Sequence, residues 1–348
     1  MSTFYKVNIQ EVQQETANAV SVLFKIPENL KSDFNFVPGQ YITLQKVING
    51  EEIRRAYSIC STPKSGEIRV AIKAVENGIF SVYATSELKA GDEIEISTPE
   101  GRFVLNTEAN KSYIGFAAGS GITPILSMVK TVLETETSST FTLIYGNKSV
   151  ADTIFYNQLS DLKETFSDRL KLHYIFSREE VKNQLRGRID GNVTNYFVKN
   201  MYKETSFDAA FLCGPEEMIE EVSKTLESNK ISKENIHFEL FTTSVDEEAI
   251  AEVKEGTTVV TVLLDDEETT FTMQQTDDLL AASLRNDLDA PYSCQGGVCS
   301  SCMCKVTEGK AVMIKNSILT DSEIEEGLVL ACQAYPTTPK IVIDFDDV

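Results

Sequence analysis

The sequence predicts a multidomain chain: an antiparallel β-barrel or sandwich, then a doubly wound α/β domain, then a small acidic unit of separate character. Three observations predict this. Up to about residue 106, short β-type runs alternate with turn chemistry. From residue 112 onward, strand-like and helix-like runs take turns. Residues 255–348 hold 17 acidic against 5 basic side chains, whereas the preceding chain holds 36 against 27.

In the first region "QYITLQKV", "EIRVAIKAV" and "DEIEIS" are strands, set off by turns at Pro38-Gly39, Lys64-Ser65-Gly66, Glu76-Asn77-Gly78 and Ala90-Gly91-Asp92. In the second, "SYIGFAA" is a buried strand and "TPILSMVKTVLETE" a helix. "FTLIYG", "IFYNQLSDLKETF", "LKLHYIFS", "DAAFLCG", "PEEMIEEVSKTLES" and "IHFELF" continue the alternation. Such alternation builds a parallel, doubly wound sheet. "TSVDEEAIAEVKE", residues 243–255, lacks a core face and is expected to be a linker, with a surface helix as the alternative. Beyond it, "TTVVTVLL" and "TTFTM" form a hairpin around the turn "DDEE", and "TDDLLAASLRNDL" a helix with Thr276 as N-cap. The expected boundaries are 1–106, 107–242, a linker over 243–255, and 256–348.

Composition narrows the function. A net charge of −21 disfavours nucleic acid and anionic membrane surfaces as partners, because phosphate binding needs Lys and Arg. The first residues, "MSTFYKVNIQEVQQETANAV", show no signal-peptide pattern, and no run approaches the ~18 apolar residues of a spanning helix. A cytoplasmic protein is expected. Seven cysteines in such a chain point to metal ligation, redox chemistry or burial rather than disulfides.

Four of those cysteines fall within "CQGGVCSSCMCKV". Cys294, Cys299 and Cys302 are spaced C-x4-C-x2-C, with Cys332 further on in "LVLACQAYP". That spacing suits a [2Fe–2S] cluster closed by a remote fourth thiolate. Gly296, Gly297, Ser300 and Ser301 are small enough to let backbone amides approach cluster sulfurs. Structural zinc is the rival, but paired C-x2-C units and a nearby His are missing. If a strand follows Cys302, Cys304 shares a face with Val306 and is a small buried hydrophobe. Spacing alone leaves a swap between Cys304 and Cys332 open.

Residues 256–348 resemble a plant-type ferredoxin domain of β-grasp fold, which implies Cys294, Cys299, Cys302 and Cys332 as ligands. "RRAYSICS" resembles the flavin motif of the ferredoxin–NADP reductase superfamily. The likeness implies that Arg55 pairs with flavin phosphate, Tyr57 stacks on the isoalloxazine and Ser58 hydrogen-bonds near N5. Gly78, Ile79, Phe80 and Ser81, opening a helix, resemble the family's pyrophosphate turn. "EGRFVL" resembles the segment that ends its flavin barrel.

"AAGSGITP" sets Gly119, Gly121, Thr123 and Pro124 between a strand and a helix, where glycines permit close phosphate approach. Gly-x-Gly-x-x-Pro is the superfamily's variant of the dinucleotide fingerprint. "LCGP", with Cys213, Gly214 and Pro215, resembles its second corner, which places Cys213 near the nicotinamide. Ser177 and Arg178 of "FSRE" stand where the family holds the 2′-phosphate of NADPH, with Lys148 assisting, so NADPH is expected over NADH.

The domain order adds a chemical logic: a flavin takes two electrons from a nicotinamide and dispenses them singly to a cluster. By resemblance, Tyr57, Ser58 and Cys213 sit at the reacting centre. FAD is implied rather than FMN. The electrons are expected to reach a diiron or Rieske oxygenase component, with a phenylacetyl-CoA epoxidase as the expected oxygenase and a basic docking face on the partner. A stand-alone ferredoxin or flavodoxin reductase and a non-enzymatic redox sensor are the alternatives.

Overall fold

The computed structural model of the chain describes residues 3–348. It divides into two compact units, 3–241 and 242–348.

The first unit begins with six antiparallel strands: β1 (Phe4–Thr16), β2 (Ala19–Lys25), β3 (Tyr41–Ile48), β4 (Glu51–Ser58), β5 (Ile68–Lys73) and β6 (Glu93–Ser97). They are ordered β4-β3-β6-β1-β2-β5. The two ends meet where Ile59 bridges Val70 and Cys60 N donates to Arg69 O at 2.8 Å, which bends the sheet into the expected barrel. Alternate residues point inward, so Val22, Ile42, Leu44, Val70, Ile72 and Ile96 fill its interior. Helix α1 (Ile79–Ser86) plugs one end with Phe80.

A parallel sheet follows in the same unit: β7 (Ser112–Ala118), β8 (Thr140–Asn147), β9 (Leu170–Phe176), β10 (Leu185–Arg186), β11 (Ala209–Cys213) and β12 (Ile236–Glu239). Its order is β10-β9-β8-β7-β11-β12. Helices α2 (Ile122–Thr135), α3 (Tyr156–Thr165), α4 (Gly191–Asn195) and α5 (Glu216–Ser228) make the crossovers. The chain reverses its winding between β8 and β11, on either side of β7, and ligands of such sheets gather at that switch point. Phe103 and Leu105 of the barrel's last segment join the core beneath α2, with the Phe103 ring 6.0 Å from that of Phe211.

The second unit holds a short helix α6 (Glu247–Glu252) and the strands β13 (Thr257–Leu264), β14 (Glu267–Gln274), β15 (Met303–Glu308), β16 (Ala311–Met313), β17 (Leu328–Leu330), β18 (Ala334–Pro336) and β19 (Lys340–Asp344). Helices α7 (Leu279–Arg285) and α8 (Asp321–Glu325) complete it. The main sheet runs β14-β13-β19-β15-β17, with β13 and β19 parallel. Val260, Val262, Ile341 and Ile343 pack with Leu279 and Leu280 of α7 in one core. A mixed sheet grasping one helix is the β-grasp arrangement.

Two local expectations change. The hairpin turn is the two-residue Asp265-Asp266, both at positive φ, rather than "DDEE", so Glu267 and Glu268 belong to β14. Aspartate tolerates that backbone region, which two-residue hairpins demand. Helix α7 is capped by Asp278, whose side chain accepts from Ala281 N at 2.7 Å, rather than by Thr276. Within 243–255, Asp246 caps α6 through Glu248 N and Ala249 N, and Asp246 N donates to Ile314 O at 2.8 Å.

Candidate functional site

The loop before β15 has no regular secondary structure and carries Cys294, Cys299 and Cys302. Two registers bring Cys332 to it. Met303 of β15 pairs with Leu330 of β17, and Ala331 N donates to Cys302 O at 2.9 Å, which leaves the next residue, Cys332, facing the loop. The Sγ atoms of Cys299 and Cys294 are 3.1 Å apart, and Gly296 N donates to Cys294 Sγ at 3.3 Å. Cys294 accepts from Cys299 and then Cys332, which draws its thiol far below the ordinary range. The same bonds push those of Cys299 and Cys332 up, with Cys302 a further neighbour of Cys332. Four thiols thus converge, three of them nearly sealed from solvent.

Cys304 is not among them. It lies in β15 opposite Val329, wholly buried in the apolar core that includes Ile343, and burial pushes its thiol up. Gly297 sets the loop's close approach: its φ is +73°, and a Cβ there would stand 2.8 Å from Lys315 O. Ser317 N donates to Gly297 O at 3.1 Å, so residues 315–317 brace the loop. The donor set, four converging thiols with backbone amides beside them, fits an iron–sulfur cluster.

In the first unit, β4 delivers Arg55, Tyr57 and Ser58 to the barrel's rim. Arg55 Nη1 donates to Arg54 O at 2.6 Å, and the Tyr57 ring lies 5.7 Å from Phe80 of α1. Gly78 is the N-cap of α1, and no side chain caps that helix. Its first-turn amides at Ile79, Phe80 and Ser81 are therefore available to an anion.

Gly119, Ser120 and Gly121 form one tight turn between β7 and α2, with Thr123 Oγ1 donating to Ser120 O at 3.1 Å and Pro124 in the helix's first turn. Tyr145 Oη supports the turn by donating to Gly119 O at 2.9 Å. Gly121 also meets a steric need of the fold. A Cβ there would stand 2.1 Å from Cys213 O, so this glycine lets the two βα corners touch. Across that contact lie Cys213, fully buried with its thiol pushed up by desolvation, then Gly214, and Pro215 as N-cap of α5.

At the ends of β8 and β9, Ser177 N and Oγ donate to Asn147 O at 2.9 and 3.3 Å, and Arg178 N donates to Lys148 O at 2.9 Å. The Arg178 guanidinium is exposed and has no ion pair among the described residues. Asn147 Nδ2 is buried at the same edge, beside Tyr145 Oη. An exposed, unpaired guanidinium at the carboxyl ends of parallel strands fits a phosphorylated nucleotide.

Two residues carry no sequence signal. Lys73, at the end of β5, brings its Nζ to within 3.7 Å of where a Cβ on Gly119 would lie; burial and then Lys148 hold its ammonium below the ordinary range. Glu239 ends β12 in register with Cys213 and accepts a hydrogen bond from Ser58 Oγ at 3.0 Å. Loss of solvent draws its carboxyl up to about 8, against the lowering pull of Ser58. Ser58, Cys213 and Glu239 therefore meet at one edge of the sheet. Among the described residues, no helix is long and apolar enough to cross a membrane.

Comparison with known proteins matches three domain families along the chain: an oxidoreductase FAD-binding domain over residues 6–105, an oxidoreductase NAD-binding domain over 116–224 and a 2Fe-2S iron-sulfur cluster binding domain over 260–337. The chain is 39% identical over 351 residues to a subunit of the 1,2-phenylacetyl-CoA epoxidase of Escherichia coli (strain K12), covering 99% of both. It is 30% identical to the ferredoxin reductase component of 3-ketosteroid-9-alpha-monooxygenase from Mycobacterium tuberculosis, covering 98% of this chain and 96% of that one. Phthalate dioxygenase reductase, a modular structure for electron transfer from pyridine nucleotides to [2Fe–2S], superposes with a TM-score of 0.64 at 22% identity over 98% of both chains.

Proposed function

Because this chain belongs to the family of oxidoreductases that join FAD-binding, NAD-binding and C-terminal [2Fe–2S] domains, with phthalate dioxygenase reductase-like architecture, we propose that it is an NADPH-dependent reductase supplying electrons to an oxygenase of phenylacetyl-CoA epoxidase type. The observation that carries the reading is the co-occurrence on one chain of all three sites, each with side chains suited to its group. When bound, the flavin takes two electrons from the nicotinamide and passes them singly to the cluster.

The chain's own residues bind and orient. Arg55 and the uncapped amides of α1 hold the FAD phosphates, and Tyr57 packs against the ring system. Gly119, Gly121, Thr123 and Pro124 shape the NADPH pyrophosphate turn, while Lys73 supplies positive charge beside it. Gly121, with Gly214 and Pro215, holds Cys213 against that turn and so sets where the nicotinamide rests. Ser58 Oγ and Glu239 hold a proton between them; with its carboxyl near 8, Glu239 can give or take that proton at neutral pH. Ser177 and Arg178, assisted by Lys148, select the 2′-phosphate of NADPH over the bare hydroxyl of NADH. Cys294, Cys299, Cys302 and Cys332 hold the cluster.

The acidic 255–348 segment suits a partner with a basic docking face. Reconstitution tests the reading: the purified protein with NADPH and the oxygenase subunits of a phenylacetyl-CoA epoxidase should convert phenylacetyl-CoA, with turnover falling as salt rises. Turnover absent here but present with a separate ferredoxin or flavodoxin acceptor would assign a general reductase instead.

A further inference from the structure

We propose that Gln333 is a positioning residue for the iron–sulfur centre: its side-chain amide ties the ligand loop to Cys332 and holds the cluster's reduction potential up. The proposal rests on the reading that Cys294, Cys299, Cys302 and Cys332 hold a [2Fe–2S] cluster.

Gln333 follows Cys332 directly and is 7% exposed. Its Nε2 donates to Cys332 O at 2.7 Å and to Gln295 O at 3.1 Å, and lies 3.7 Å from Cys332 Sγ. Gln295 is the residue after Cys294 and holds a left-handed backbone at φ +51°. One primary amide therefore joins the neighbours of the first and last cysteines, 38 positions apart in the chain. A primary amide has two hydrogens to give, and here they are shared among two carbonyl oxygens, that of Cys332 buried, and a thiol sulfur.

The backbone of Gln333 is fixed as well. Ile314 N donates to Gln333 O at 3.0 Å, and Ile314 O accepts from Asp246 N at 2.8 Å. A continuous path of hydrogen bonds therefore runs from the cap of α6 through Ile314 and Gln333 to the ligand loop. With its main chain held, the Gln333 amide has little freedom to turn away. Removing it strands Gln295 O and Cys332 O without their side-chain donor. It also removes an N–H dipole directed at a ligand sulfur, where such dipoles stabilise the negative charge added on reduction. Nothing in the cysteine spacing discloses this residue.

The test is an EPR-monitored redox titration of the full-length holoprotein beside Gln333→Met, which keeps length without donors, and Gln333→Glu, which keeps shape but turns an acceptor towards the sulfur. Gln333→Met should retain the [2Fe–2S] signal with its reduction equilibrium about tenfold less favourable, a fall of about 59 mV for one electron. Gln333→Glu should fall further, and the flavin potential should stay at the wild-type value in both. If Gln333→Met sheds its cluster faster than wild type, the tie between loop and Cys332 is supported and Gln333→Glu supplies the potential. A variant with both wild-type potential and wild-type cluster lifetime overturns the proposal. Wild-type protein without a [2Fe–2S] signal would sink the ligand reading itself, whereas a wild-type signal with unaffected variants sinks only the role of Gln333.

Discussion

The thiol cluster and the candidate flavin–nucleotide site are assembled by different routes. From Cys294 to Cys332 the ligand candidates lie in one loop and one strand end, and the β15–β17 register closes the gap between them. From Arg55 to Glu239 the other site draws on β4, α1, β5, the β7–α2 and β11–α5 corners, and β12. A site written as spacing survives in a short string. A site written as topology needs the sheet order before its members become neighbours, as Ser58 and Glu239 do at 3.0 Å.

Substitutions probe this contrast, beginning with the largest effect. Cys332→Ser should abolish the cluster's visible absorbance and EPR signal, while Cys304→Ser, in the apolar core, should keep both. The reverse pattern would mean that the strand register does not choose the fourth ligand. At the other site, Gly121→Ala forces a Cβ against Cys213 O and should displace one corner from the other. A misplacement of about 1 Å costs hydride transfer roughly 100-fold, which stopped-flow flavin reduction would measure against unchanged FAD content. Unaltered reduction would show that the two corners move independently.

Ser58→Ala breaks the pair with Glu239 and should slow flavin turnover by roughly 100-fold, with the pH dependence near 8 altered in the same variant. Arg178→Ala should reduce kcat/KM for NADPH by about ten- to 100-fold, the worth of one charged hydrogen bond, and leave NADH unchanged. Equal loss with both nucleotides would place the guanidinium outside the 2′-phosphate pocket.

Glu239 also gives the apoprotein a pH signature. Its carboxyl is raised in the fold from an ordinary 4.5 to about 8, so the folded protein binds the proton more tightly than the unfolded chain. Its stabilising contribution is full below 4.5 and is lost as pH rises through 8. Urea denaturation of the apoprotein should therefore show stability falling across that window, and Glu239→Gln should flatten the fall. The smallest effect belongs to a local cap: Asp278→Ala should cost about 1 kcal/mol in the same assay.

Much of the fold is legible because periodicity reports burial. The alternation in "EIRVAIKAV" places Val70 and Ile72 inside the barrel, and "SYIGFAA" becomes a strand buried at the sheet's centre. Expectation and structure part where several residue types satisfy the same rule. Thr276, Asp277 and Asp278 can all cap a helix, and only the position of the first helical turn selects Asp278. "DDEE" offers four polar residues to a turn that uses two. The motif assigns Gly121 to phosphate approach, and only the fold adds the restraint of the neighbouring Cys213 carbonyl, supplied by a strand 92 residues away. Lys73 and Glu239 belong to no motif, and Gln333 stands in "LVLACQAYP" with no role read there, because their importance lies in what sheet order and loop closure set beside them.

Electron flow along the chain is measured most directly by anaerobic titration of the holoprotein with NADPH, followed by absorbance and EPR together. Bleaching of the FAD band followed by growth of a [2Fe–2S] signal within turnover times is the expected result. A flavin that bleaches while the cluster stays oxidised and EPR-silent would contradict the route from nucleotide through flavin to cluster.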